Sequence, residues 1–428
     1  MLPAMLPTRE SRTSFGPGRW TKRLGTPDWF QRTRWKLLAF GFCAGVILRA
    51  ADRWDWSQQV PAVKWRAEIG AGFANVTPHA GRVYAFGNQR DEDRVSCLDA
   101  ETGRLLWQYR YPCRGLGLAK PDEIGPRATP FVHEQAVYTL SRDGRLLCLE
   151  AETGQLRWWL DIPAEVGERP PYWGFSGSPL LWGELLIWPV GAQGLAVEAR
   201  DGKVRWKSPP RASTVWKNEP VGVSGYTTPT PVEFGGRRLI SLSNESRWVL
   251  VDPETGAEVW STAWEVPYGV TAAQPALAGD LVVLSGGYGY GTRVVRLGYD
   301  GLPVWENKKL RSHFANLAIV GDHLYGIDGN QQDGPRCELR CLRLSDGEVV
   351  WAEERFGFAN LILADGHLVI VTARGELVLV RADPAGYREK ARVQVIGGET
   401  WTAPRLAGDR LYVRNKQGTL VCVSLPGR

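Results

Sequence analysis

One motif of about ten residues recurs six times in this chain and constrains its fold more than any other feature. The clearest copy, at 98–107, reads LDAETGRLLW, and every copy places a glycine four residues before a tryptophan. The glycines are Gly103, Gly154, Gly202, Gly256, Gly301 and Gly347, and the tryptophans are Trp107, Trp158, Trp206, Trp260, Trp305 and Trp351. A seventh tryptophan, Trp65, ends a similar strand without the turn, and a degenerate copy has Gly386 but Lys390 in place of the tryptophan.

The spacing of these tryptophans predicts a β-propeller. Successive tryptophans from Trp65 to Trp351 are 42 to 54 residues apart, which is the length of four short strands with their turns. Each unit also contains runs of branched and aromatic residues bounded by Gly and Asp, as in strands joined by hairpins. The motif glycine supplies the positive φ that a tight turn requires, and the strand after it carries the indole.

The two ends of the repeat complement each other. Eight terminal strands end near residues 65, 107, 158, 206, 260, 305, 351 and 390, and eight inner strand sets precede or follow them. The first terminal strand has no inner set before it, and the last inner set, at 403–425, has no terminal strand after it. An open solenoid would leave both ends bare. We therefore predict an all-β, eight-bladed propeller over residues 63–428, closed by the N-terminal strand around Trp65.

The positive charge of the chain lies in its first 50 residues. They carry nine basic and two acidic side chains, whereas the remaining 378 residues carry 43 basic and 44 acidic ones. The net charge of +6 therefore gives no reason to expect a nucleic-acid partner for the body of the protein.

The order of segments at the N-terminus is typical of a secretory signal or signal anchor. A basic tail at 1–36 precedes a twelve-residue uncharged apolar run at 37–48 within a signal or anchor segment at 37–50, and 51–62 is interpreted as a linker. As a helix the run would span about 18 Å, less than the roughly 30 Å hydrocarbon core. Cleavage and retention both stay open, because Leu48-Arg49-Ala50 is not a typical cleavage sequence. Either way we expect an exported, periplasmic or extracytoplasmic body, attached to the inner membrane by 37–48 if the segment is retained.

No sequence motif assigns catalytic, metal or nucleotide chemistry to the chain. It has no H-E-x-x-H, no G-x-S-x-G, no C-x-x-C and no glycine-rich phosphate loop. Cys97, Cys148 and Cys341 stand ten residues before a motif tryptophan, where we expect buried thiols in the core. Cys113 and Cys337 fall in loops of different blades, and whether they pair stays open. We therefore assign no catalytic, metal-binding or cofactor-binding residue.

The A-x-x-T-G-x-x-x-W pattern resembles the tryptophan-docking repeat of the pyrroloquinoline-quinone (PQQ) propellers over about residues 60–425. The resemblance implies that each of the seven tryptophans packs between adjacent blades against the turn of the next motif and has a structural role. Quinoprotein dehydrogenases share the blades but carry an adjacent cysteine pair, calcium ligands and a catalytic Asp, which have no matching positions in this sequence.

The non-enzymatic BamB family of outer-membrane assembly lipoproteins is similar to this chain in length, blade number and export segment. One departure is Cys43, which follows Phe40-Gly41-Phe42 where a lipoprotein signal has a small residue. The resemblance implies a monomeric scaffold that binds envelope proteins and catalyses no reaction. A PQQ-dependent dehydrogenase or a propeller that binds a small ligand is the alternative.

Polar residues recur where the inner strands begin and converge on the central channel. Seven of the eight equivalent positions are polar and uncharged, and Ala403 is the eighth: Asn75, Thr129, Ser178, Thr230, Gln274, Asn316 and Asn360. These side chains either satisfy backbone groups at the strand starts or form a polar mouth that accepts a peptide loop or a small ligand.

A second set of candidate residues lies in longer insertions at 111–127, 163–175 and 207–226 and in the last blade. It contains aromatic and basic side chains: Arg114, Arg169, Tyr172, Trp173, Trp216, Lys217 and Trp401. Because exposed Trp and Arg often anchor interfaces and loops often carry function, this set predicts a protein-binding surface.

Overall fold

The computed structural model of the chain describes residues 59–113, 125–217 and 219–426 together with Trp54 and Trp56. The expected basic tail at 1–36, the signal or anchor segment at 37–50 and Arg114 lie outside the described residues. In this part of the chain, no helix combines the length and apolar character needed to span a membrane.

The described residues form eight four-stranded antiparallel sheets, which confirms the predicted eight-bladed propeller. Blades one to four contain β2 (Thr77–His79), β3 (Arg82–Gln89), β4 (Glu92–Asp99), β5 (Leu105–Pro112); β6 (Phe131–His133), β7 (Ala136–Leu140), β8 (Arg145–Glu150), β9 (Leu156–Asp161); β10 (Leu180–Trp182), β11 (Leu185–Trp188), β12 (Leu195–Glu198), β13 (Val204–Lys207); and β14 (Thr230–Phe234), β15 (Arg237–Ser243), β16 (Arg247–Val251), β17 (Glu258–Ala263).

Blades five to seven follow the same order, and blade eight combines three strands from the end of the chain with β1. They contain β18 (Ala276–Ala278), β19 (Leu281–Gly286), β20 (Gly291–Arg296), β21 (Pro303–Asn307); β22 (Ala318–Val320), β23 (His323–Asp328), β24 (Glu338–Arg343), β25 (Val349–Glu353); β26 (Ala359–Ala364), β27 (His367–Thr372), β28 (Glu376–Arg381), β29 (Glu389–Gln394); and β30 (Arg405–Ala407), β31 (Arg410–Arg414), β32 (Thr419–Ser424), β1 (Ala62–Glu68). Single helical turns occur at Ile162–Val166, Pro267–Gly269 and Gly334–Arg336.

The N-terminal strand closes the ring as predicted. Strand β1 pairs antiparallel with β32, so that Ala62 lies opposite Ser424 and Glu68 lies opposite Thr419. The buried guanidinium of Arg414 on β31 adds hydrogen bonds to three backbone carbonyls on the other side of the closing junction. Blade eight is therefore tied to blade one by both the backbone and a buried side chain.

Each of the seven motif tryptophans links its blade to the next. The indole N–H donates to a backbone carbonyl of the following blade at 2.7–3.1 Å: Trp65 to Ala100, Trp107 to Ala151, Trp158 to Ala199, Trp206 to Pro253, Trp260 to Tyr299, Trp305 to Leu344 and Trp351 to Asp383. Each indole thus has a partner for its polar atom while its ring lies between two sheets.

Five of the six motif glycines lie directly against the preceding tryptophan. A Cβ on Gly103, Gly154, Gly202, Gly256 or Gly347 would come within 2.4–2.7 Å of that ring or of the side chain beside it. Gly301 differs, because the nearest atom to its Cβ would be 3.5 Å away and belongs to Thr262. The turn that contains Gly301 is one residue longer than the turn that contains Gly154. Trp305 pairs with Val294, eleven residues before it, whereas Trp158 pairs with Cys148, ten residues before it.

Blade seven has no tryptophan at the docking position, and the structure corrects which residue stands there. The paired residue is Ala391, opposite Leu379, while Lys390 falls in the β-bulge between Ala391 and Glu389. The sequence placed Lys390 at the docking position because the turn of this blade is longer: Ala391 lies 12 residues after its partner Leu379, whereas Trp158 lies ten residues after Cys148.

Two tryptophans from the segment interpreted as a linker pack at the junction between blades seven and eight. Trp54 and Trp56 are 2% and 3% exposed and belong to one cluster with apolar residues of β27, β28, β31 and β32. The Trp54 indole donates to Asp365 Oδ2 at 2.9 Å, and its ring stacks on His367. Ala391 packs against the same cluster, so these side chains occupy the junction that lacks a docking tryptophan.

Candidate functional site

Two kinds of loop meet on one face of the propeller. Because the four strands of each blade alternate in direction, the loops that lead into the inner strands lie on the same side as the loops between the second and third strands. We call this side the entry face. The glycine turns of the repeat lie on the opposite face.

On the entry face, hydrogen bonds join the starts of neighbouring inner strands. The bonds run from Asn75 N to Thr129 Oγ1 (3.0 Å), Thr129 N to Ser178 Oγ (2.9 Å), Ser178 N to Thr228 Oγ1 (3.2 Å), Thr228 N to Gln274 Oε1 (2.9 Å), Asn316 N to Asn360 Oδ1 (2.9 Å), Asn360 Nδ2 to Trp401 O (3.1 Å) and Asn75 Nδ2 to Ala403 O (2.9 Å). The polar side chains of this set thus satisfy backbone groups, one of the two roles expected for them.

Thr230 does not belong to this set, and Thr228 takes its place. The Thr230 hydroxyl instead pairs with the Ser241 hydroxyl at 2.6 Å inside blade four. The sequence TTPT at 227–230 offers three threonines, and the linking residue precedes the first strand residue by two positions, as Asn75 precedes Thr77. Spacing alone could not choose among the three.

Aromatic side chains form a closed circle around the mouth of the channel. Successive ring centroids are 4.3–6.2 Å apart along the series Trp173, Tyr172, Trp216, Tyr268, Tyr288, His313, Phe314, Trp401 and Phe73. Arg127 closes the circle, because its guanidinium lies 4.4 Å above the Phe73 ring and its Nε donates to Trp173 O at 3.1 Å. We call these nine side chains and Arg127 the aromatic collar.

Four of the seven residues expected at the interface lie in the collar: Tyr172, Trp173, Trp216 and Trp401. Arg169 and Lys217 are exposed on the same loops as Trp173 and Trp216 but are not collar residues. Sequence reasoning did not find Arg127, Tyr268 and Tyr288. Tyr268 is 54% exposed and sits at a φ of +62° in a single helical turn, and neither feature is encoded by a recognisable motif.

A buried carboxylate fixes the loop that carries Trp216. Glu245 accepts hydrogen bonds from the Ser213 hydroxyl at 2.6 Å and from the Thr214 backbone N–H at 2.7 Å. Ser213 in turn accepts from the Trp216 backbone N–H, and the Trp216 indole donates to Tyr268 O at 3.1 Å. The collar is therefore held by hydrogen bonds as well as by ring contacts.

The collar surrounds a cavity of about 460 Å³ at the mouth of the channel. The twenty described residues that line it comprise seven Phe, Tyr or Trp, eight neutral amide or hydroxyl side chains, three small aliphatic residues, His313 and Arg127. A volume of this size lies in the roughly 300–1,000 Å³ range of small-ligand sites.

These residues do not fit the calcium and quinone site of the dehydrogenases. Calcium is held mainly by carboxylate and carbonyl oxygens, and none of the described residues that line the cavity is an Asp or Glu. Within the described ranges, no three His, Cys, Asp or Glu side chains lie close enough to hold a metal ion. Cys113 and Cys337 belong to separate clusters, where their thiols donate to Asp143 and to Asn330 O.

His313 is the buried titratable group of the cavity wall. It is 3% exposed, its Nδ1 lies 3.1 Å from Gln331 Oε1, and its ring contacts Tyr288 and Phe314. Burial lowers the pKa of His313 to about 4, so the imidazole is neutral at pH 7. The Gln331 carbonyl is best satisfied when Nδ1 carries the proton, which leaves Nε2 as an acceptor.

We expect this histidine to make the protein less stable in mild acid. The pKa is near 6.5 in the unfolded chain and about 4 in the fold. The unfolded state therefore binds a proton first, and stability is lost as the pH falls from 6.5 towards 4. Between pH 7 and pH 5 the loss amounts to about 2 kcal/mol. Urea unfolding at both pH values measures it, and His313→Gln should remove this part of the pH dependence. An unchanged pH dependence in the variant would contradict the assignment.

Comparisons with known proteins agree with this architecture. A sequence profile of the family described as "Outer membrane protein assembly factor BamB" matches residues 47–208 and 91–353. The protein of that name from Yersinia pestis is 22% identical over 377 residues, which cover 85% of this chain and 89% of the relative.

Two solved structures share the fold. BamB from Moraxella catarrhalis superposes with a TM-score of 0.62 at 15% identity, over 85% of this chain and all of the other. Quinohemoprotein alcohol dehydrogenase from Comamonas testosteroni superposes with a TM-score of 0.61 at 14% identity, over 86% of this chain and 77% of the other. At these sequence identities the similarity establishes the fold, and the function has to be inferred from the residues of the site.

Proposed function

The chain belongs to the family of the outer membrane protein assembly factor BamB, and from this premise we propose that it is a protein-binding scaffold of the cell envelope that catalyses no reaction. Its partner is an envelope protein, and the relatives' name points to proteins that take part in outer-membrane assembly. The proposal includes an exported, monomeric propeller at 63–428, with the apolar run at 37–48 acting as its signal or membrane anchor.

The aromatic collar is the observation that carries this proposal. It presents half-buried and exposed rings, including Trp216 and Tyr268, on loops rather than in the core. Such rings lose little conformational entropy on binding and bury large areas, which makes Trp and Tyr frequent energetic centres of interfaces. Arg169 and Lys217 add exposed positive charge beside the rings.

The test is capture of partners from the native envelope with and without the collar tryptophans. We expect Trp173→Ala combined with Trp216→Ala to reduce the recovered partner at least about tenfold, because truncating an interface tryptophan often costs 2 kcal/mol or more. Recovery is measured by affinity purification of the full chain, chemical cross-linking and quantitative mass spectrometry.

Trp159→Ala is the matched control, because Trp159 is 52% exposed on β9 and lies outside the collar. It should leave recovery unchanged. Partner recovery that survives the collar double variant, in protein of unchanged circular dichroism, would contradict the proposed surface.

A second candidate function is the binding of a small ligand, and the cavity of about 460 Å³ favours it. A PQQ-dependent dehydrogenase is less well supported, because the part of the lining that the structure describes has no carboxylate for calcium and the sequence has no adjacent cysteine pair. A dehydrogenase would show quinone absorbance and calcium-dependent dye reduction after reconstitution, whereas a scaffold would show neither.

A further inference from the structure

Blade six contributes four polar side chains to the cavity, and the blade-linking hydrogen bonds engage one of them, through the side-chain nitrogen of Asn316. We call His313, Asn316, Gln331 and Gln332, which all line the cavity, the polar corner. Asn316 Nδ2 donates to Leu361 O, and Gln331 Oε1 accepts from His313 Nδ1. Three groups of the polar corner make no hydrogen bond to the described residues: the side-chain amide of Gln332, Oδ1 of Asn316 and Nε2 of His313.

The polar corner lies at a junction where the chain of linking bonds is interrupted. Gln274 of blade five uses both ends of its amide on Thr228, its Oε1 accepting from the backbone N–H and its Nε2 donating to the carbonyl. Asn316 of blade six bonds to blade seven. None of the described side-chain bonds joins Gln274 to Asn316, so the polar groups on this side of the mouth can serve a ligand.

The composition of the lining narrows the class of ligand. Among the described lining residues, a cationic ligand or a metal ion would find no carboxylate, and a ligand with several negative charges would find Arg127 as the one cationic side chain. A wholly apolar ligand would cover the amides and hydroxyls and leave them without hydrogen bonds, at a cost of about 1–3 kcal/mol for each group. The matching class is uncharged, with many hydroxyl groups and flat C–H faces.

We propose that the cavity binds a short uncharged saccharide, with its C–H faces against the aromatic collar and its hydroxyl groups on the polar corner. Phe314 and Trp401 adjoin the polar corner, since the Phe314 ring lies 4.9 Å from His313 and 5.5 Å from Trp401. Amides that donate and accept suit hydroxyls, which do both. The neutral imidazole supplies an acceptor without adding charge to the wall.

This inference goes beyond the scaffold function, because it concerns a small ligand bound by the isolated protein. The scaffold proposal is tested by partner capture from the envelope. The saccharide proposal is tested by titration of purified protein, so the two results are independent.

The experiment titrates the purified full chain with three neutral trisaccharides, cellotriose, maltotriose and triacetylchitotriose, while tryptophan fluorescence and heat are recorded. We expect at least one to bind saturably with a Kd of about 1 mM or tighter. The glucosamine trimer has positively charged amines in place of the three N-acetyl groups of triacetylchitotriose. It should bind at least about tenfold more weakly, because the described lining has no carboxylate to balance these charges.

Gln332 is exposed in the ligand-free protein, and Gln332→Ala should weaken binding about tenfold, as expected when a ligand loses a hydrogen-bonding amide that it covers on binding. Gln155→Ala is the matched control, because Gln155 is an exposed glutamine on the opposite face and should not affect binding. Thermal unfolding of both variants verifies that each is folded. The proposal is overturned if no neutral trisaccharide binds saturably up to about 10 mM, if the charged trimer binds more tightly, or if Gln332→Ala binds like the unaltered protein.

Discussion

Arg414→Met is expected to lower the free energy of unfolding by about 3 kcal/mol or more. Arg414 is 2% exposed and donates to the backbone carbonyls of Ala74, Phe86 and Gly70 at 2.7–2.9 Å. Burial lowers the pKa of Arg414 to about 9, so the guanidinium still carries its charge at pH 7. Methionine fills a similar volume but leaves buried carbonyls without donors at the junction that closes the ring.

Urea unfolding followed by tryptophan fluorescence measures this loss. Arg405→Met is the matched control, because Arg405 is exposed on the adjacent strand β30 and should change stability by less than about 0.5 kcal/mol. Arg414→Lys separates charge from geometry, since an ammonium group cannot serve three carbonyls with the fork of a guanidinium. Equal stability of the two methionine variants would show that the buried contacts do not hold the junction closed.

Gly256→Ala should destabilise the propeller by about 3 kcal/mol, from roughly 1 kcal/mol of backbone strain and 1–3 kcal/mol of overpacking. Gly256 has a φ of +71°, and its added methyl group would lie 2.4 Å from the Trp206 ring. The ring cannot retreat easily, because the Trp206 indole is held by its hydrogen bond to Pro253 O and packed between blades three and four.

Gly301→Ala provides an internal comparison, because Gly301 has a similar φ of +79° but no ring beside it. It should cost only the backbone strain, about 1 kcal/mol. Thermal and urea unfolding of both variants measure the difference. If both substitutions cost the same, the close packing of glycine on tryptophan contributes little, and only the turn conformation requires glycine at these positions.

Repetition is what made the fold predictable from the sequence. A motif that combines a turn glycine with a tryptophan at fixed spacing repeats one structural unit, and the mismatch of its ends predicts closure by the strand around Trp65. The junction between blades seven and eight was missed for the opposite reason. Its tryptophans, Trp54 and Trp56, come from outside the repeat, and a longer turn in blade seven moves the docking position to Ala391.

The candidate site was predictable only where it left a local signal. Trp173, Trp216 and Trp401 stood out because they are aromatic residues that the repeat does not explain. Tyr268, Tyr288 and Arg127 lie in loops without such a signal and become neighbours only when the ring closes. The collar is thus a property of the closed circle, whereas the polar residues at the inner strand starts recur once per blade and can be found by alignment.

Closure by β1 also determines the order in which the junctions between blades can form. The Ser424 hydroxyl donates to the carbonyl of Ala62, 362 residues earlier, so the last blade cannot form until almost the whole chain has been synthesised. Earlier junctions can form one after another as each glycine turn emerges, but Trp54, Trp56 and the strand β1 that carries Trp65 must wait for partners near the other end. Contacts so distant in sequence slow folding, and exposed aromatic segments favour aggregation while they wait. The strand that completes the ring is therefore also the segment that most needs protection during biogenesis.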